Sequence, residues 1–323
     1  MMVRRALAGL GLLAALAAFA SGPAAAEPYP ARTVTFVVPF AAGSATDSMA
    51  RFLADRMAKD LATNIVVENK PGANGSLAAR AVADGPQDGS VVLVTSNSTH
   101  ASNANLYKKL SYDPVADFAP VARIVRLPLA LIVRPDLKAT TVAELMALGR
   151  PPAMLSYGSG NASSQVAAEV LAKAGGMRLT RVPYQGNNRA IIDLMANRID
   201  FVVADLPTAL PQIEAKAVRA LAVTTAQRVG QLAEVPTMQE AGVPDYEIIG
   251  WLAAFSRAGT RPELVARLNA GILKAINAPD AEPFFRSIGG EPFGSTPAEL
   301  GAFVQSETAK WATYVAVSGI EKQ

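Results

Sequence analysis

Apolar residues along this chain fall into short runs of the buried-strand type, separated by longer stretches in which they recur with a helical period. In the first part, the runs at 33–40, 65–68, 90–95 and 118–125 are rich in Val, Ile and Phe, and the stretches at 44–61 and 76–83 read as helices between them. Met49, Phe52, Leu53 and Met57 fall on one face of the first helix. Strands that alternate with helices in this way predict a parallel α/β layer. From Leu127 the pattern begins again, with strands at 129–133, 154–157, 179–183, 200–204 and 219–223 and helices after Thr141, Ser163 and Asn188.

Helix starts are marked by Thr followed three residues later by Glu, the capping-box spacing, at Thr141 and Glu144, Thr260 and Glu263, and Thr296 and Glu299. Pro262 and Pro297 lie just inside the last two, where a missing N–H costs nothing. After residue 248 the pattern holds one strand, at 248–256, and two helices, striped by Leu264, Leu268, Ile272 and Ile276 and by Leu300, Val304, Trp311 and Val315. One strand cannot make a sheet of its own, so these elements are expected to return to the first unit. The predicted fold is α/β, with two Rossmann-like lobes, 27–125 plus 249–323 and 126–248, joined by crossovers near 125–129 and 246–254 around a ligand cleft.

Two junctions repeat one piece of chemistry. At 36–57 and at 155–174 an apolar strand runs into a small, hydroxyl-rich, Gly-containing turn that opens an amphipathic helix. The first N–H groups of a helix have no partner within it, and the helix dipole adds partial positive charge there, so such turns suit a carboxylate or phosphate. Ligands of open parallel sheets bind beyond the carboxyl ends of the strands, where both junctions lie. Facing each other, they would grip an anion from two sides.

The first 26 residues read as an export signal. Arg4 and Arg5 precede an almost wholly apolar run at 6–20, and Ala24, Ala25 and Ala26 supply the small residues of a cleavage site. That run is shorter than the roughly twenty residues of a membrane span. Cleavage after Ala26 leaves 297 residues and takes the formal charge from +3 to +1, which argues against nucleic acid as a partner. There is no cysteine, which excludes a lipid anchor at a new N-terminal Cys and puts the burden of stability on the core. The expected product is a monomer exported to the periplasm.

The segments YPARTVTFVVPFAAGSATDSMARFLADRM (29–57), VVENKPGANGSLAA (66–79), LYKKLSYDPVADFAPVARI (106–124), VPYQGNNRAIIDLMANRIDFVVADLPTALPQI (182–213), RALAVTTAQR (219–228) and VPTMQEAGVPDYE (235–247) resemble, in order, the Bug-type solute receptors. These are the periplasmic substrate-binding subunits of tripartite tricarboxylate transporters. The resemblance implies a type II-like periplasmic binding protein that closes on a small carboxylate and hands it to integral-membrane permease subunits, with no cofactor and no metal. It implies that the loop at 39–47 surrounds a carboxylate with backbone amides, here Phe40, Ala41, Ala42 and Gly43, with Thr46 behind them. Ala42 stands where the family usually has Pro, and Ser44 where it usually has Gly. Asp47 then orients the turn, since two carboxylates would repel.

Across the cleft, the resemblance points to Gly160, Ser163, Ser164, Tyr184 and Gly186, and Thr95, Ser96 and Asn97, which end the third strand of the first lobe, line the same cleft. Each hydroxyl is read equally as a helix cap. Asp205, before Leu206-Pro207, either meets a cationic or hydroxylated ligand group or caps the next turn, and Gln165 takes a position often held by His. Arg189 is the nearby cation that could pair with a carboxylate, although a solvated Arg is the ordinary state of a helix start.

Competing chemistry has little to work with. His100 is the only histidine, so a metal site or a Ser-His-Asp hydrolase would rest on one residue, without a Gly-x-Ser-x-Gly elbow, and a polar surface or cleft-rim position is the simpler expectation for it. Gly158 and Gly160 suggest a dinucleotide turn, but Ser163 replaces the third Gly and no acid ends the next strand. A sensory receptor for a signalling ectodomain would use the same closed lobes as a transport receptor.

Overall fold

The computed structural model describes residues 33–323, so the expected signal segment at 1–26 lies outside the described residues. Among the described residues no helix is long and apolar enough to cross a membrane. Strands β1 (Thr33–Val38), β2 (Asn64–Asn69) and β3 (Val91–Ser96) are parallel, with α1 (Ala45–Leu61) and α2 (Ser76–Ala83) between them. A π-helical turn (Ser98–Ser102) and α3 (Asn103–Leu106) lead to β4 (Phe118–Leu127). A single residue, Pro128, separates β4 from β5 (Leu129–Val133), and β5 belongs to a different sheet. The second sheet then collects β6 (Leu155–Ser159), β7 (Leu179–Pro183), β8 (Phe201–Asp205) and β9 (Arg219–Val223) in the order β7-β6-β8-β5-β9. Its helices are α4 (Val142–Leu148), α5 (Ala162–Gly175), α6 (Asn187–Met195) and α7 (Leu206–Glu214).

The chain then returns. β10 (Gly250–Arg257) inserts between β3 and β4, and α8 (Pro262–Asn277), α9 (Glu282–Ile288), the two-residue edge strand β11 (Glu291–Pro292) and α10 (Pro297–Ser318) follow. The first sheet therefore has the order β11-β4-β10-β3-β1-β2. This is the two-lobed α/β architecture the sequence predicts, except that the sheets are mixed rather than parallel. β5 is antiparallel to β8 and β9, and β10 to β3 and β4. The parallel strands point their carboxyl ends at the hinge, so a strand that enters its sheet from the hinge must run the other way.

Thr224 fastens the two crossovers together. Its hydroxyl donates to the Ile248 carbonyl at 2.6 Å and accepts from the Leu129 N–H at 3.1 Å, and it is fully buried. One core cluster runs through both lobes, from Leu93 and Phe255 to Leu131, Tyr157 and Phe201, and the stripe of Leu300, Val304, Trp311 and Val315 on α10 is part of it. Each lobe has a second core on its other face, around Phe36, Leu53 and Ile272 in one and around Ile132, Ile191 and Val202 in the other.

Several local expectations need correction. Capping boxes form at Thr141 and Thr296 but not at Thr260. Pro297 directly follows its cap, whereas Pro262 lies two residues after Thr260. A residue before Pro is driven to extended backbone, so Arg261 (ψ 136) becomes the cap and Thr260 instead donates to the Arg257 carbonyl at 2.7 Å. The helices expected after Ser163 and Asn188 begin at Ala162 and Asn187, capped by Asn161 and Gly186. The C-terminal part has a third, short helix, and α7 was hidden by its two prolines, Pro207 and Pro211.

His100 is neither at the surface nor at the cleft rim. The π-helical turn carries it into the core, where its ring stacks on Phe255 at 3.6 Å and meets Phe118 edge-on at 4.7 Å. Nδ1 bonds Thr99 Oγ1 at 2.8 Å, and Nε2 has no partner. Burial pushes the imidazole from 6.5 down to about 3. Because the unfolded chain protonates first, stability present above pH 6.5 is lost as the pH falls from 6.5 towards 3, by a few kcal/mol. Urea unfolding over that range should show this loss, and His100→Phe should flatten the slope; an unchanged slope would contradict the assignment. Thr296→Ala should lower the unfolding free energy by about 1 kcal/mol in the same assay, through loss of the box at α10.

Candidate ligand-binding site

Between β1 and α1 the chain makes the turn 39–44. Gly43 takes φ +79, a conformation that favours glycine, and its N–H donates to Asp47 Oδ2 at 2.9 Å. Ser44 caps α1 by accepting from the Asp47 N–H at 3.2 Å. Asp47 also receives two bonds from Arg51, both at 3.0 Å, and one from Asn69 Nδ2 at 2.9 Å, and that amide donates in addition to the Phe40 carbonyl. Burial alone would raise the Asp47 carboxyl, but the Arg51, Gly43 and Asn69 donors outweigh it and hold it below the usual carboxylate range. Asp47 orients the turn from behind, with its charge spent on Arg51.

The second lobe builds its face from two turns pressed together. Gly160, after β6, has no room for a side chain: a Cβ there would sit 2.1 Å from the Gly186 carbonyl carbon and from the Asn187 nitrogen. Asn187 Oδ1 accepts from the Gly160 N–H at 2.9 Å, and its Nδ2 donates to Asp205 Oδ2 at 2.7 Å. Asn161 caps α5 through the Ser164 N–H at 2.9 Å, and its Nδ2 donates to the same Asp205 oxygen at 3.1 Å. Asp205, at the end of β8, thus sets the amide orientation of both asparagines. Burial pushes its carboxyl above the usual range, opposed by the two amide donors.

Hydrogen bonds join the lobes directly across the cleft. The Ala41 N–H donates to the Gln185 carbonyl at 3.0 Å, and Asn188 Nδ2 to the Ala42 carbonyl at 2.9 Å. At the hinge end, Asn97 Nδ2 donates to Ser163 Oγ at 2.8 Å, and the Ala162 N–H to Ser98 Oγ at 3.2 Å. The cleft also holds a cavity of about 390 Å³. Pro39, Phe40, the loop 72–75, Tyr107 and Gln323 wall it on one side, and Ser159, Gly160, Asn161, Arg181 and residues 183–185 on the other.

Of the residues singled out in the sequence, Phe40, Gly160 and Tyr184 line this cavity. The Tyr184 hydroxyl is committed elsewhere, to Asp193 at 2.8 Å. Ala41, Ala42, Asn97 and Ser163 make the contacts between lobes, and Gly186 packs beside Ala41. Gly43 and Asp205 support the turns from behind. Thr46 is buried in the first turn of α1, Thr95 Oγ1 bonds Thr99 Oγ1 at 2.7 Å, Ser96 Oγ accepts from the Ser98 N–H, and Ser164 Oγ donates to the Gly158 carbonyl. Gln165 is buried, and Arg189 is exposed to solvent.

Sequence reasoning passed over Arg181, Tyr107 and the loop 72–75. The signals were present: a lone Arg inside a short strand, LTRVP, and a Pro-Gly…Gly turn at the end of β2. Ala73 and Asn74 both take positive φ there, 45 and 52, held by hydrogen bonds between Asn74 and Asn103. Among the described residues no cluster of three His, Cys, Asp or Glu is arranged to hold a metal ion.

The family model described as tripartite tricarboxylate transporter family receptor matches residues 49–320. Protein BugT of Bordetella pertussis is 31% identical over 323 residues, covering 99% of each chain. Among solved structures, the R. palustris protein Rpa4515 with adipate superposes with a TM-score of 0.88 at 34% identity, over 92% of this chain and 100% of that one. MatC from Rhodopseudomonas palustris with bound malate gives 0.83 at 30% identity, over 89% and 100%. The chain therefore belongs to the tripartite tricarboxylate transporter receptor family, in its Bug-type branch, whose members are periplasmic substrate-binding receptors and not enzymes.

Proposed function

We propose that this protein, exported by its first 26 residues, captures a small carboxylate in the cleft cavity and delivers it to integral-membrane permease subunits. The lobes 27–125 plus 249–323 and 126–248 close over the ligand about the crossovers at Pro128 and Gly250. The observation that carries this reading is the cavity itself, which opens between the carboxyl ends of parallel strands from two sheets and is walled largely by backbone turns and neutral side chains. At about 390 Å³ it matches a small organic acid with a few waters. The backbone at Phe40 and Asn161 supplies the proposed contacts, Gly160 and Tyr184 shape the wall beside them, and Thr95, Ser96, Asn97, Ser163, Ser164, Gly186 and Asp205 hold the surrounding frame.

Closure is the step a partner reads. A ligand that touches both lobes stabilises the form in which Ala41 meets Gln185 and Asn97 meets Ser163, and its differential affinity for that form sets how far the population moves. Structures of relatives holding adipate and malate support a carboxylate as the ligand class.

A thermal-shift panel of dicarboxylates, hydroxy acids, aromatic acids and acidic amino acids tests this. A ligand at a hundred times its Kd adds about 2.7 kcal/mol, a shift of roughly 5 °C for a chain of this size. Stabilisation by an uncharged sugar and by no acid would sink the carboxylate reading. Gly160→Ala should destabilise the protein by about 1–3 kcal/mol, because its methyl group must part the two turns. It should also weaken any acid found in the panel at least tenfold by calorimetry.

A further inference from the structure

One side chain on the wall of the cleft cavity carries a full charge. Arg181 lies at the middle of β7, in register with Tyr157 of β6, and its Nε donates to Ser159 Oγ at 2.7 Å. That bond fixes the guanidinium at the cavity wall in a half-buried position. Elsewhere in the same lobe Arg134 pairs with Asp136 and Asp200 at 2.6 and 3.1 Å and Arg198 with Asp193 at 2.8 Å, while Arg150 and Arg219 donate to backbone carbonyls away from the cleft. Among the described residues no carboxylate lies within 4.0 Å of Arg181. The remaining lining side chains are neutral, and the phenol facing it from the other lobe, Tyr107, bonds Asn74 and feels the Arg181 charge.

A half-desolvated guanidinium without a counter-charge is unfavourable, and a carboxylate is the group whose shape matches its paired N–H donors. Backbone amides such as those of Phe40 and Asn161 would serve one carboxylate without any cation, so an arginine in the same cavity is surplus to a monoacid. We infer that Arg181 is the residue that selects a second carboxylate, and that the ligand is a dicarboxylate spanning from the turn at Phe40 and Gly160 to Arg181 and Tyr107. This rests on the carboxylate-capture reading above. A six-carbon dicarboxylate has about ten heavy atoms, well within a space that would hold roughly thirteen waters.

The test uses matched probes, adipate and its monomethyl ester, measured by calorimetry on the wild type, Arg181→Gln and Arg181→Lys. The wild type should bind adipate at least tenfold tighter than the monoester. Arg181→Gln should bring that ratio to about one, and Arg181→Lys should fall between, because a point charge lacks the paired donors. Unfolding midpoints without ligand show whether each variant is folded. If Arg181→Gln is folded and keeps wild-type adipate affinity, the assignment is wrong although carboxylate capture stands. A wild type that does not separate adipate from its monoester overturns the assignment without any variant. A wild type that binds neither probe nor any other mono- or dicarboxylate overturns both readings.

Discussion

β10 is the strand on which this molecule depends. In the first sheet β3 and β4 do not pair with each other; both pair with β10, which begins at the hinge and runs antiparallel to each. The sheet is therefore incomplete until the chain has passed through the second lobe and come back, and Leu252 meets Ser96 and Val125 across more than a hundred residues. Such non-local pairing makes the two lobes parts of one folding unit, as the core that runs through both of them shows. It also leaves two crossovers side by side, with Thr224 bonded to each, so relative motion of the lobes is confined to bending about that pair.

The same arrangement decides where charge lies in the cleft. Two acids, Asp47 and Asp205, stand behind turns that face the cavity, and each is saturated by the frame: Asp47 by Arg51, Asn69 and the Gly43 N–H, Asp205 by the amides of Asn161 and Asn187. Neither projects a free charge forward. Asp205 spends its hydrogen-bonding capacity on Asn161, the cap of α5, and Asn187, the first residue of α6, so one buried carboxylate orients both turns of the second lobe. What remains forward is backbone, a few neutral side chains and Arg181.

Most elements were legible from the chain. The strand runs of Val, Ile and Phe, the single-faced α1, the stripe on α10 and the boxes at Thr141 and Thr296 are local properties, set by periodicity and by residues three apart, and they hold in the structure. Illegible were features in which neighbours or partners compete: Pro262 displacing the Thr260 cap, prolines masking α7, and the antiparallel entry of β5 and β10. The turn of Gly160 was visible as a small-residue junction, but its need for glycine comes from Gly186 and Asn187, on another turn.

The sequence by itself determined the alternation of strands and helices, the two strand-to-helix turns, and an inventory of one histidine and no cysteine that leaves His-based metal sites and His-dependent catalysis a single residue to rest on. Tertiary structure decided which side chains meet. His100, polar and placed in a run of Ser and Asn, is in the core because the π-helical turn points it at Phe118 and Phe255. Arg189, conspicuous at a helix start, faces solvent, while Arg181, inconspicuous in a strand, lines the cleft. Strand pairing is the physical reason: the register of β7 against β6 brings Arg181 beside Tyr157 and within reach of Ser159, a relation between segments more than twenty residues apart.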